Sequence, residues 1–182
     1  MLDLVAKSPL SGLLSLTQGS VALTEATPAS IISIVPFKGK AAEAEAALQS
    51  AYGVGLPPLG GVSQAAQSRV LWFGDGQYLL IADRAEMPKI TEIAAVTDQS
   101  DAWAVMHLEG RDAAAVLARL CPIDLRPEYF SKGQTARTEV AHMPAIVTPT
   151  VNGFEIMVMQ SLVKTAVKSL HSAMKSVAVQ KM

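Results

Sequence analysis

Apolar residues along the chain fall into short runs, which are separated by glycine, proline and polar residues. Runs rich in β-branched or alternating apolar residues predict strands over residues 31–37, 69–74, 77–82, 103–109, 135–141, 145–150 and 154–159. Apolar positions at helical spacing predict helices over residues 40–52, 86–94, 112–120 and 161–177. Short strands that alternate with short helices favour an α+β fold.

The helices and turns carry local signals of their own. The first helix has a predicted inner face of small residues, and Gly53 is its predicted C′ residue. That face consists of Ala41, Ala44, Leu48 and Ala51. The last helix has a regular apolar stripe, formed by Val163, Ala166, Val167, Leu170, Ala173, Met174 and Val177. Asp75 and Gly76 predict a type I′ hairpin turn, and Asn152 with Gly153 predicts a second hairpin.

The order strand, helix, loop, strand, turn, strand, helix occurs twice along the chain. This order predicts two β-α-β-β-α ferredoxin-like halves, over residues 29–96 and 97–182, that share a core. Residues 1–28 are rich in Ser, Thr, Gly and Ala and predict an extended N-terminal arm, either disordered or laid over a partner. The leucines of this segment favour the second alternative: Leu10, Leu13, Leu14 and Leu16.

Charged residues are scarce in this chain. Half of the residues are hydrophobic and 17% are charged, against roughly 25% charged in an average globular domain. An apolar excess of this size implies either a membrane or a protein partner that covers it. The best candidate for a membrane span, residues 102–108, is interrupted by His107 and is far shorter than the roughly 20 residues that a span needs. The sequence therefore favours a protein partner.

The charge balance and the first residues exclude other classes of protein. The net charge is −1, so the chain has no basic footprint for nucleic acid. The lysines near the C-terminus are interpreted as a solvated helix face: Lys164, Lys168, Lys175 and Lys181. Residues 1–12 do not have the pattern of a signal peptide, and we expect a cytoplasmic protein.

The cysteine and histidine residues do not indicate a catalytic or metal-binding site. Cys121 is the single cysteine, which excludes an internal disulfide and a cysteine-based metal cluster, and it is expected to pack in the interior. His107, His142 and His171 lack a second ligand at the spacing usual in metal sites. Each is interpreted as a surface or hydrogen-bonded histidine.

Other candidate groups also have structural interpretations. The carboxylates of Asp98 and Asp101 suit a turn, and that of Asp112 suits a helix start, where it would cap backbone N–H groups. The aromatic residues Trp72, Phe73 and Trp103 are expected in the core. No glycine-rich phosphate loop or dinucleotide fingerprint is present in the sequence. We therefore assign no catalytic, cofactor-binding or metal-ligating residue to this chain.

Several segments nevertheless resemble one family, the gamma subunits of heterotetrameric sarcosine oxidase. The resemblance is densest between residues 96 and 156 and thin over the first 30 residues. It rests on Val-Thr-Asp-Gln-Ser-Asp-Ala-Trp at 96–103, Leu-Glu-Gly-Arg-Asp-Ala at 108–113 and Val-Leu-Ala-Arg-Leu-Cys-Pro-Ile-Asp-Leu at 116–125. Further matches are Trp-Phe-Gly at 72–74, Thr-Ala-Arg-Thr at 135–138, Ala-His-Met-Pro at 141–144 and Asn-Gly-Phe-Glu at 152–155.

This resemblance implies a non-catalytic structural subunit of a larger enzyme. The complex would convert sarcosine to glycine by oxidative demethylation, with tetrahydrofolate as the one-carbon acceptor and hydrogen peroxide as a product. Its alpha, beta and delta subunits would be the partners of this chain. They would carry FAD, FMN, NAD, tetrahydrofolate and zinc, while this chain would hold no cofactor.

The family's fold is similar to that of the folate-binding aminomethyltransferases of glycine cleavage. Catalytic members of that wider group have a Gly-Gly-x-x-Asp-Asp segment, and the corresponding stretch here is residues 141–147. No carboxylate lies between Glu139 and Glu155, so the resemblance implies a fold that has lost this site. The alternative function is a stand-alone folate-binding protein of the aminomethyltransferase type.

Overall fold

The computed structural model describes residues 7–84 and 87–180. Within these residues, eleven strands numbered in chain order form two antiparallel sheets. The first sheet has the spatial order β1 (Leu16–Gln18), β2 (Val21–Ala26), β8 (Trp103–Gly110), β11 (Gly153–Met159), β10 (Met143–Pro149), β9 (Ala136–Val140). The second has the order β4 (Val62–Gln64), β5 (Ser68–Gly74), β6 (Gln77–Ala82), β3 (Ser30–Pro36), β7 (Ala94–Asp98). The α-helices are α1 (Ala41–Tyr52), α2 (Ala113–Leu117) and α3 (Val163–Gln180).

The helices cover the outer faces of the two sheets. Leu48 of α1 packs in one apolar cluster with Ile32 of β3, so α1 lies on the second sheet. Leu170 of α3 and Val116 of α2 pack in another cluster with Leu108 of β8, so both helices lie on the first sheet. The predicted apolar stripe of α3 is confirmed, since all seven of its residues are buried.

A third apolar cluster lies between the two sheets. Ile31 and Leu79 of the second sheet pack there against Val105, Ile146 and Met157 of the first sheet. Successive side chains in a strand point to opposite faces, so one strand can serve two layers. The two sheets therefore share an apolar layer, and the whole has the layer order helix, sheet, sheet, helix.

The prediction of an extended N-terminal arm over residues 1–28 is wrong for residues 7–28. Residues 1–6 lie outside the described residues. Strands β1 and β2 belong to the first sheet, and β2 pairs with β8 over its full length. Leu10 and Leu23 are 1% and 0% exposed, respectively. Leu13, Leu14 and Leu16 are partly buried against the same apolar cluster that contains Leu10 and Leu23, so the described part of this segment belongs to the chain's own fold.

The prediction of a helix over residues 86–94 is also wrong for residues 87–94, the part of this range that the structure describes. Residues 91–93 form a turn, and β7 begins at residue 94. Strand β7 pairs with the free edge of β3, which gives the backbone of this segment hydrogen-bond partners that a short isolated helix would lack. With this change and the two N-terminal strands, the ferredoxin-like halves are not confirmed.

Some local details differ from the prediction. Ala44 and Leu48 of α1 are buried as expected, but Ala41 and Ala51 are exposed and Tyr52 completes the inner face. The α2 helix is shorter than predicted, since residues 118–120 continue it only as a turn. Gly53 does end α1, with a left-handed φ of 70°.

The turns differ in type from what composition suggests. At the hairpin between β5 and β6 only Gly76 has a positive φ, and the register shifts between Trp72 and Gly74, so the type I′ prediction is wrong. The two-residue turn between β9 and β10 instead has positive φ at both Ala141 and His142 (51° and 66°), as a type I′ turn requires. No glycine or asparagine signals it in the sequence. The hairpin predicted at residues 152–153 is confirmed.

None of the helices that the structure describes combines the length and hydropathy that a membrane span requires.

Candidate functional site

A cavity of about 240 Å³ lies where the two sheets meet. Its wall includes polar side chains from both sheets and from the loops beside them: Gln64, Arg69, His107, Lys132, Thr150 and Glu155. No other described cavity brings an arginine, a histidine and a buried carboxylate together. This cavity is therefore the candidate functional site.

The register of two central strands places a carboxylate at this cavity. Glu155 of β11 pairs across the sheet with His107 of β8. It lies two residues from Met157, on the same face of β11, and Met157 packs in the layer between the sheets. The Glu155 side chain therefore points away from α3 and towards the second sheet.

One oxygen of Glu155 collects the charged contacts of the site. Its Oε2 accepts a hydrogen bond from Nη2 of Arg69 at 2.5 Å and lies 3.2 Å from Nε2 of His107. The Glu155 side chain is 6% exposed, and Oε1 is fully buried with no hydrogen-bond partner among the described residues. Arg69 lies on β5, so this ion pair joins the two sheets.

The pKa values of this cluster follow from burial and charge. Burial raises the pKa of Glu155, but the hydrogen bond from His107 and the charge of Arg69 outweigh it and leave that pKa below its usual value. The hydrogen bond to Glu155 is the main cause that raises the pKa of His107, although burial and Arg69 oppose it. The cluster therefore favours an ionised carboxylate and a protonated imidazole.

The geometry suits charge pairing better than proton transfer. A general base must reach the proton that it removes, whereas Oε1 of Glu155 has no accessible surface and Oε2 already faces two cationic groups. The Lys132 ammonium at the rim forms no ion pair or hydrogen bond with the residues that the structure describes. The cavity thus presents fixed positive charge.

A larger open groove of about 880 Å³ adjoins this cavity. It lies among four loops and shares Lys132 and residues 149–151 with the smaller cavity. Arg111 and Phe130 also line it. The groove has no buried carboxylate: Glu109 is partly buried, and Arg111 and Lys132 are exposed.

The cysteine and histidine candidates do not come together. Cys121 is buried, as expected, with Sγ 3.9 Å from Oγ1 of Thr138. His142 is exposed in a turn, and His171 is partly buried on α3. In the described part of the chain, no three metal-ligating side chains lie close enough to share an ion.

The carboxylate candidates have the following positions. Asp98 accepts hydrogen bonds from the backbone N–H and the hydroxyl of Ser100, which lower the pKa of Asp98 and confirm the predicted turn. Asp101 takes no part in these hydrogen bonds. Asp112 is not a side-chain cap as predicted: it begins α2, but its Oδ2 accepts from the Ser20 hydroxyl at 2.6 Å. The carboxylate thus ties β8 and α2 to the turn between β1 and β2.

Two of the three aromatic candidates pack together at the edge of the inter-sheet layer. The rings of Phe73 and Trp103 are 6.0 Å apart and nearly perpendicular, and both pack against the inter-sheet cluster. Nε1 of Trp103 donates to Oε1 of Gln99. Trp72 pairs across the hairpin with Tyr78. All three rings are partly buried, so Phe73 and Trp103 pack against the core from its edge and not within it as expected.

Sequence reasoning missed the cluster of Arg69, His107 and Glu155. A charged residue inside an otherwise apolar strand, as in Phe-Glu-Ile-Met-Val at 154–158, was the available signal. It could not be connected to Arg69, which lies 86 residues away in the chain.

The chain was compared with known proteins in sequence. No protein-family model matches it. The sarcosine oxidase subunit gamma of an Arthrobacter species is 34% identical over 143 residues, which cover 74% of this chain and 70% of that relative. The subunit gamma of Corynebacterium sp. strain P-1 is 31% identical with the same coverage. That of strain U-96 is 35% identical over 116 residues, covering 58% of this chain and 56% of the relative.

Solved structures give a consistent result. A chain of the heterotetrameric sarcosine oxidase from Corynebacterium sp. U-96, solved with pyrrole 2-carboxylate, matches with a TM-score of 0.80 and 28% identity. The match covers 95% of this chain and 96% of that one. The aminomethyltransferase T of Bartonella henselae matches with a TM-score of 0.56 over 85% of this chain and 46% of its own. At 16% identity, this second likeness shows a shared fold alone.

These comparisons support the main functional interpretation and give no support to a stand-alone folate-binding protein. The sequence relatives share their name with the family that the motifs resemble, and two of them are matched over 70% of their length. The chain belongs to the family of sarcosine oxidase gamma subunits.

Proposed function

We propose that this chain is the gamma subunit of a heterotetrameric sarcosine oxidase and that its contribution is structural. The observation that carries this proposal is the match with a chain of such a complex, which spans 95% of one chain and 96% of the other. The proposed complex demethylates sarcosine oxidatively to glycine, with tetrahydrofolate as one-carbon acceptor and release of hydrogen peroxide.

The lack of catalysis by this chain is part of the proposal. The candidate site supports it, because Oε1 of Glu155 has no accessible surface and Oε2 is held between Arg69 and His107. The stretch that would correspond to the Asp-Asp segment of aminomethyltransferases, residues 141–147, has no carboxylate, and its last three residues, Ala145, Ile146 and Val147, are buried in the sheet. A fold that is retained without its reactive groups is consistent with a structural subunit that supports or covers a neighbouring subunit.

The partners in this proposal are the alpha, beta and delta subunits, which would carry FAD, FMN, NAD, tetrahydrofolate and zinc, in the cytoplasm. The low share of charged residues supports an extensive protein contact. Large apolar side chains are also exposed, with Leu59, Val151 and Val179 at 83%, 80% and 72%. Burial of such residues against a partner would stabilise the assembly.

Co-expression tests the assembly. A tagged gamma chain is expected to co-purify with the alpha, beta and delta chains in equal amounts, and omission of the gamma chain is expected to lower the yield of the assembled oxidase. A gamma chain that purifies as a stable monomer and fails to bind the other three would refute the proposal.

Kinetics of the assembled complex test the lack of catalysis. His107→Gln in the gamma chain removes an ionisable group of the cavity and leaves the ion pair between Arg69 and Glu155 in place. We expect kcat to stay within about twofold of the parent complex. Removal of a general acid or base typically costs about 10² to 10⁴ in rate, so a loss of that size would show that the chain takes part in the reaction.

A further inference from the structure

The cavity between the two sheets has more positive groups than its one carboxylate requires. Arg69 and Lys132 carry positive charge, and the pKa of His107 is raised, whereas Glu155 supplies one negative charge. Glu155 pairs with Arg69 and His107, which leaves the ammonium of Lys132 without an ion pair among the described residues. Glu109 adds a second negative charge near His107, so the group that favours an anion inside the cavity is the ammonium of Lys132.

Hydrogen-bond donors at the cavity wall are also unused. A guanidinium has five N–H donors, and in the described part of the chain the side chain of Arg69 makes only the bond from Nη2 to Glu155. The Arg69 side chain is 26% exposed, so part of it is within reach of solvent. Thr150 lines the same cavity, and its hydroxyl is buried with no partner among the described residues.

We propose that this cavity is a binding site for a small carboxylate anion, held by the free N–H donors of Arg69 and by the Lys132 ammonium. The planar fork of a guanidinium matches the two oxygens of a carboxylate. The volume of about 240 Å³ is below the range of about 300 to 1,000 Å³ that is usual for drug-sized ligands. A small anion fits this size, and the site does not depend on membership of a complex.

The structure also explains why the anion does not compete with the internal carboxylate. Glu155 lies deep in the cavity, with its side chain 6% exposed, whereas Lys132 is exposed at the rim. The ligand therefore binds on the solvent side of Arg69. Gln64 of β4, which is exposed at the same rim, supplies an amide N–H group to the entrance.

Acetate titration of the full chain by NMR tests the proposal at constant ionic strength. We expect saturable shifts of the backbone amides of Lys132, Gly133 and Thr150, which line the cavity. Lys132→Ala is expected to weaken acetate binding at least about fivefold, because it removes a charge-assisted contact. Lys164→Ala, at an exposed lysine of α3, is the matched control and should leave binding unchanged.

Titrations with other small ions test which chemical class of ligand the cavity binds. Methylammonium chloride should cause no saturable shifts. Inorganic phosphate is the competing anion, because a guanidinium can also bind phosphate through two parallel N–H bonds, and weaker binding of phosphate than of acetate would assign the site to a carboxylate. Arg69→Lys keeps the charge beside Glu155 but loses the fork, and should also weaken acetate binding. The proposal is overturned if acetate shifts rise linearly without saturation, if Lys132→Ala binds as well as the parent, or if phosphate binds more tightly than acetate.

Discussion

The guanidinium of Arg69 lies 2.5 Å from the carboxylate of Glu155 and joins the second sheet to the first. It is the ion pair that crosses the otherwise apolar layer between the sheets in the described structure. Since Glu155 is nearly fully buried, its charge depends on this partner and on His107. The contact therefore bears on the stability of the whole fold.

Loss of the Arg69 charge is expected to destabilise the protein strongly. Arg69→Met leaves Glu155 buried without its arginine partner, and loss of one partner of a buried pair typically costs about 3 kcal/mol in the free energy of unfolding. The double variant Arg69→Met with Glu155→Leu should recover much of that loss, since no charge is then left buried. Urea unfolding of the parent and these variants measures both effects.

An exposed ion pair offers the control for this experiment. Arg126 and Asp124 also lie 2.5 Å apart, but their side chains are 67% and 41% exposed. Arg126→Met should therefore leave the urea midpoint unchanged within error. Equal losses from Arg69→Met and Arg126→Met would show that burial does not set the strength of the inter-sheet pair.

The stabilising effect of His107 is expected to depend on pH. Its pKa is raised in the folded protein, so its contribution is fully present below the unfolded value of about 6.5. That contribution is lost as pH rises through the folded pKa. The difference in Tm between the parent and His107→Gln should be largest near about pH 6 and should shrink towards alkaline pH.

Glu155 is predicted to have the opposite pH dependence. Its pKa is lowered in the folded protein, so its contribution is present above the unfolded value of about 4.3 and is lost as pH falls through the folded pKa. In a Glu155→Gln background, the stabilising effect of a protonated His107 at low pH should be lost, because Glu155 is the largest cause of the raised pKa and only Glu109 still raises it, against burial and Arg69. An undiminished stabilisation by His107 at low pH in that background would mean that another group sets the pKa of His107.

Gly110 is predicted to tolerate no side chain. Its φ is 124°, and a Cβ placed there would lie 1.9 Å from the carbonyl oxygen of Ser20, at the end of the β2–β8 pairing. Gly110→Ala should cost about 3 kcal/mol or more, measured by thermal unfolding. Gly76→Ala is the control, because Gly76 has a left-handed φ of 61° but open space around it, and should cost about 1 kcal/mol.

Burial of the apolar stripe of α3 is predicted to hold this helix against the first sheet. Leu170 is 0% exposed in the core of the first sheet, so Leu170→Ala should lower the free energy of unfolding by about 3 kcal/mol. Val179 lies on the same helix and is 72% exposed. Val179→Ala should change the free energy of unfolding by less than about 0.5 kcal/mol. A larger loss would mean that the Val179 side chain is buried against other residues in the isolated chain.

Much of the local structure could be predicted from the sequence. The stripe of α3, the left-handed Gly53 and the hairpin after β10 all follow from patterns within about one turn or one strand. These features depend on the periodicity of apolar residues and on backbone preferences of single residues. The resemblance to the gamma-subunit family was likewise carried by short segments, and the comparisons confirmed it.

Pairing between distant segments was decided by the tertiary structure. The composition of residues 1–28 indicated an arm, yet β2 fills a place beside β8, because its backbone and its apolar side chains find partners there. The same holds for residues 94–98, which become a strand at the free edge of β3. Local propensity is weak compared with the hydrogen bonds and burial that such pairing supplies.

The sequence by itself determined which residues are apolar, where most strands and helices lie and which family the chain resembles. Only the tertiary structure brought together Arg69 and Glu155, which are 86 residues apart, and His107, which is 48 residues from Glu155. The physical reason is that periodicity shows which face of a strand is buried, but not which strand lies against that face. The charge of the cavity therefore depends on strand order and on sheet packing, which no local segment of the sequence specifies.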